Sequence, residues 1–111
     1  MSLTIGQAAA ATGISAKMIR HYEAQGLLPA PARSEGGYRL FSDADLHALR
    51  FIRHARDLGF PIATIGELLG LWHDRDRPSR DVKTLALAHI EALDRKAHEL
   101  LRMKATLQRL V

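Results

Sequence analysis

The chain has 111 residues, 47% of them hydrophobic and 25% charged, with a formal net charge of +4 and no cysteine. This length suits one small domain plus an extension, and the lack of cysteine excludes disulfides and thiolate metal sites within these residues. No apolar run approaches the roughly 20 residues of a membrane span, and no basic region followed by an apolar core marks a signal peptide.

Met1-Ser2-Leu3 is compatible with an added expression leader. Thr4 followed three residues later by Gln7 reads as a capping box. An Ala-rich helix runs from Gln7 to Thr12, and Gly13 can stop it in the left-handed conformation. Ile14 fills the turn, and Ser15 caps a second helix from Ala16 to about Ala24. Two short helices around a Gly-containing turn have the form of a helix-turn-helix. Lys17, Arg20 and His21 share one face of the second helix. Such a face suits a major groove and its phosphates; a solvated charged face is the other reading. Pro29 and Pro31 then enforce extended chain.

Arg33 to Phe41 reads as a β-hairpin, turning at Gly36-Gly37 with Tyr38, Leu40 and Phe41 as strand formers. Arg33 and Arg39 flank the turn, where two guanidiniums can grip a phosphate backbone. Ser42 and Asp45 open a third helix with an apolar face at Leu46, Leu49 and Ile52, joined by Phe51 and Leu58. Arg50, Arg53 and Arg56 repeat every three residues along it and can reach phosphates at the edge of the site. Gly59 ends this helix. Pro61 starts a fourth, Ile62 to Leu71, with Ile65, Leu68 and Leu69 inward and Trp72 as its anchor. A charged loop from His73 leads to Ser79, a good cap for the last helix.

From Asp81 to Val111 the chain carries no Gly or Pro. Ala86, Leu93, Leu100 and Leu107 recur every seven residues, with Ile90, Ala97, Met103, Leu110 and Val111 between them. This is a coiled-coil seam on a helix roughly 45 Å long. A lone helix would leave that seam in water, so burial against a second copy is expected; folding back on its own domain is the alternative. The layout is therefore mainly α. A winged helix-turn-helix head with a two-helix bridge occupies residues 1–72, a loop 73–80 and a dimerisation helix 81–111.

Catalytic signatures are missing. There is no Gly-rich phosphate loop and no nucleophile elbow, so an enzyme is not expected. His47 and His54 share a helical face but lie about 10 Å apart along the axis, too far for one ion with bonds near 2 Å. His89 and His98 point to opposite sides of the last helix. No metal ligand or cofactor is expected within the chain.

The order of elements and several strings resemble the MerR family of bacterial transcription regulators. Lys17-Met18-Ile19-Arg20-His21-Tyr22-Glu23, Gly26-Leu27 and Gly37-Tyr38-Arg39 look like the family's recognition-helix and wing motifs. Arg56 to Phe60 looks like the end of its third helix, and Ser79 to Lys83 resembles the copper-responsive CueR-like branch. The resemblance implies a cytoplasmic homodimer joined by an antiparallel coiled coil. It would bind double-stranded promoter DNA and realign an over-long spacer for RNA polymerase. It also implies DNA contacts at Lys17, Arg20, Tyr22, Arg33, Tyr38, Arg39 and Arg56, with Arg53 beside them and His21 in an open role.

CueR-like proteins carry two cysteines just after the dimerisation helix, and these 111 residues hold none. Either that tail lies outside this sequence or the protein lacks that sensor. Divalent-ion relatives have a cysteine at the position of Ser79. With Ser there, a two-cysteine tail would offer only two thiolates, which suits Cu(I). Ser79 and Lys83 would then be neighbours of the effector site, not ligands. A response to an organic ligand or another stress, and a coiled-coil adaptor with a basic head, are the rival readings.

Overall fold

Thr4 opens the first helix with both halves of the capping box formed: Gln7 N–H donates to Thr4 Oγ1 at 3.3 Å, and Thr4 N–H to Gln7 Oε1 at 2.9 Å. The computed structural model describes residues 2–28, 32–73 and 79–111, without the side chains of 72, 73, 79 and 80. Within them run α1 (Ile5–Thr12), α2 (Ala16–Ala24), β1 (Ala32–Arg33), β2 (Arg39–Leu40), α3 (Asp43–Asp57), α4 (Ile62–His73) and α5 (Ser79–Gln108). The loop expected over 73–80 is shorter, since His73 ends α4 and Ser79 begins α5; its residues 74–78, the expected extended chain at Pro29 and Pro31, the Trp72 anchor and the Ser79 side-chain cap lie outside the described residues.

Gly13 adopts a left-handed φ of 73° and its N–H returns to Ala9 O, which closes α1 as the sequence predicts. Ser15 accepts from Met18 N–H and starts α2. Ile19 and Tyr22 then fall on the buried side of α2, against α1. The hairpin pairs Ala32 with Leu40 and Arg33 with Arg39. Its turn is closed by Gly37 N–H donating to Ser34 O, with Gly37 at a φ of 83°. Leu3 extends this sheet by one antiparallel bridge to Phe41, with two backbone hydrogen bonds of 2.8 and 2.9 Å. Leu3 is therefore part of the folded sheet.

Ser42 and Asp45 form a second capping box at the start of α3. Leu46, Leu49 and Ile52 face inward as expected. Phe51 and Leu58 are exposed instead, and Ala48 and Ala55 take the inner positions. Phe41, Ile19, Leu49, Ile52 and Ile65 are fully buried at the centre of the core, each contributing about 1.5–3 kcal/mol. Ile65 and Leu69 bring α4 into this core, while Leu68 is half-buried.

Residues 1–70 and 71–111 form two compact units. In the second, α5 is a continuous helix of 30 residues, about 45 Å long. Its seam is in water within the single chain: Ile90, Leu93, Leu100 and Leu107 are all exposed, as is Ala97, and Ala86 is half-buried. No described helix is long and apolar enough to cross a membrane.

The end of α1 receives help from α3. Arg53 Nη1 donates to Thr12 O at 2.8 Å and Arg50 Nη2 to Ala11 O at 3.4 Å. Two carbonyls left over at the helix end are thereby satisfied. A Cβ on Gly13 would run into Arg53 Nη1. Gly13→Ala should thus cost about 1–2 kcal/mol in left-handed strain and also displace Arg53. Arg53→Met should cost about 1 kcal/mol. Urea unfolding at fixed protein concentration should find the double variant less destabilised than the sum of the two, since both remove the same bond.

Candidate nucleic-acid interface

The outward face of α2 carries Lys17, Arg20 and His21, all exposed, with Met18 also at the surface. Cations beside one apolar side chain can contact both phosphates and a thymine methyl. Sequence pattern alone gave Met18 no such place. Tyr22 is corrected: it is only 7% exposed and belongs to the core cluster. Three residues after the fully buried Ile19, it shares that inner face. Its ring lies tilted at 6.1 Å from His21, so it supports the exposed imidazole from beneath.

A groove of about 610 Å³ separates α2 from the hairpin. Thr4, Arg20 and Glu23 line one side; Arg33, Tyr38 and Arg39 line the other. Arg33 is exposed, and its Nη1 donates to Gly37 O at 3.0 Å, which holds the guanidinium beside the turn. Tyr38 stands at the hairpin tip, 74% exposed. A Cβ at Gly36 would be 3.2 Å from Tyr38 Cδ2 and Cε2, so the ring would have to give by a few tenths of an ångström. Cations and a phenol on the rim of such a groove match the donors that hold a sugar–phosphate strand.

Arg39 does not point into that rim. Its side chain is 9% exposed and pairs through Nε with Glu23 Oε2 at 3.2 Å and through Nη1 with Asp45 Oδ2 at 3.5 Å. Nη1 also donates to Leu40 O, and the guanidinium carbon sits 4.4 Å from the centre of the Phe41 ring. The expected phosphate contact at Arg39 is replaced by an internal ion pair. The strand period could have revealed this, because Arg39 and Phe41 fall on the same face. The sequence reading placed Glu23 only in the recognition-helix string and Asp45 only at the start of the third helix; here both also hold Arg39.

The α3 arginines are also redirected. Arg53 caps α1, and Arg56 Nη1 donates to Phe60 O at 3.3 Å, closing the turn after α3. Both side chains nevertheless stay exposed, as Arg33 does with its own bond to a carbonyl. Among the described residues no group of three or more His, Asp or Glu is placed to hold a metal ion.

The profile described as "MerR HTH family regulatory protein" matches residues 3–71, and "MerR, DNA binding" matches residues 46–110. Heavy metal-dependent transcription regulator 2 of Rhizobium meliloti is 50% identical over 97% of this chain and 74% of its own length. The transcriptional regulator CueR of Escherichia coli O157:H7 is 39% identical over 92% of this chain and 76% of its own. Among solved structures, HiNmlR, a MerR family regulator lacking the sensor domain and bound to promoter DNA, superposes with a TM-score of 0.71 at 29% identity. That match covers 92% of this chain and 77% of the other. PbrR691 from Ralstonia metallidurans CH34, in complex with lead(II), gives 0.64 at 34% identity, over 97% and 84%.

Arg33→Ala should weaken binding to duplex DNA and reduce the slope of log affinity against log salt by about 0.9, the signature of one lost phosphate contact. Arg20→Ala should cost about 1–3 kcal/mol on a preferred sequence if it reads a base edge. Fluorescence anisotropy at three salt concentrations checks both.

Proposed function

Because this chain belongs to the MerR family of DNA-binding transcription regulators, we propose that it acts as a homodimer that distorts a promoter spacer for RNA polymerase. The observation that carries this reading is the pairing of a cation-rimmed head with a leucine seam left in water. Each head lays α2 in a major groove and sets its hairpin on the flanking backbone. Two copies joined through α5 hold the heads at a set spacing. A duplex that meets both must bend or untwist to fit, at a cost on the order of 1–6 kcal/mol met by backbone contacts. Specificity then includes the deformability of bases that no side chain touches.

A heavy-metal effector is supported by the names of relatives at 39–50% identity. The residues present offer no thiolate, so they do not fit a soft-ion site by themselves. The proposal therefore concerns a form that carries a C-terminal pair of cysteines, and Cu(I) is its effector. With a hydroxyl rather than a thiol at Ser79, only two thiolates are on offer, which favours two-coordinate Cu(I) over tetrahedral Zn(II).

Leu100→Asp places a carboxylate in the seam and should weaken dimerisation by about 100-fold or more. Sedimentation equilibrium reads this directly, and a parent chain that is monomeric at micromolar concentration would remove the dimer. In promoter-activation assays under reducing conditions, Cu(I) should leave these 111 residues unaffected and activate a form extended by a cysteine pair. Equal activation of that form by Zn(II) would overturn the copper assignment.

A further inference from the structure

We propose that Arg39 and Glu23 are positioning residues for DNA binding: their ion pair fixes the separation at which Arg20 on the helix and Arg33 on the hairpin meet the duplex. This rests on the groove being the DNA surface. The hairpin has strands of two residues each, too few backbone bonds to hold a pitch on their own. The Leu3–Phe41 bridge fixes its base. Its tilt toward α2 is set by the Arg39 guanidinium, which reaches Glu23 on α2 at 3.2 Å and Asp45 in the α3 capping box at 3.5 Å. One planar cation thus joins three elements, and its plane is held over the Phe41 ring. Arg39 Nη2 and Asp45 Oδ1 are buried without hydrogen-bond partners among the described residues, so the group is committed to the interior. The pair also accounts for Glu23. An anion in the wall of a cation-rimmed groove opposes DNA unless it is neutralised from within.

Charge and position predict opposite signs for Glu23→Gln. Removing a negative charge near phosphates tightens binding to any duplex, whereas loosening the hairpin weakens binding to the preferred one. The test compares a duplex selected by the parent chain from a randomised pool with a scrambled duplex of the same length. Active fractions are counted by stoichiometric titration. Glu23→Gln should lower affinity for the selected duplex about tenfold, the size of one disturbed base contact, and change the scrambled one less than about twofold. Its salt slope should equal the parent's. Arg39→Lys keeps the charge but lacks the fork that reaches two carboxylates; it should show the same loss, and the double variant no further loss. Lys at this position also serves if Arg39→Gln does not fold. Tighter or unchanged binding by Glu23→Gln overturns the proposal, as does equal weakening on both duplexes. So does Arg39→Gln reducing the salt slope by about 0.9 as Arg33→Gln does. A parent chain without preference between the duplexes would remove the groove reading itself, and this proposal with it.

Discussion

A single buried guanidinium ties the head together. Arg39 leaves a strand too short to hold itself and finds carboxylates on α2 and at the start of α3. Desolvating a cation is tolerable only with such partners. The Asp45 carboxylate serves twice, since Oδ2 also accepts from Ser42 N–H at 3.0 Å to close the capping box. The start of α3 and the pitch of the hairpin are consequently one problem with one solution.

The cations of this chain divide into two jobs. Arg39, Arg50, Arg53 and Arg56 all turn back on carboxylates or carbonyls of the head. Of these only Arg39 is largely buried; Arg50, Arg53 and Arg56 are exposed, as are Lys17, Arg20 and Arg33. The internal arginines fix the shape that the outward ones present.

Local chemistry was legible in the sequence wherever its partner is close along the chain. The capping boxes at Thr4 and Ser42, the left-handed stop at Gly13 and the cap at Ser15 all rest on partners within a few residues, and all were readable. What escaped was long-range. Arg39 meets Glu23 across 16 positions and Arg53 meets Thr12 across 41, distances at which a sequence shows only a charge and no partner. Phe51 and Leu58 misled because an apolar stripe on α3 is wider than the face its neighbours cover. Ala48 and Ala55, too small to stand out by hydropathy, take buried positions instead. Tyr22 misled through resemblance, which assigns a contact by motif and cannot see that Ile19 commits the same face to the core.

The bridge between Leu3 and Phe41 has a practical side. It seats the start of the chain in the sheet, and Thr4 follows directly on the groove wall beside Arg20 and Tyr38. Any polypeptide fused ahead of Leu3 begins only a few residues along the chain from that groove wall. An acidic tag there would act as a tethered competitor for the nucleic acid at high local concentration, and a histidine-rich one would bring its own metal ions to the surface under study. Affinity handles on this chain should be removable, or kept away from that end.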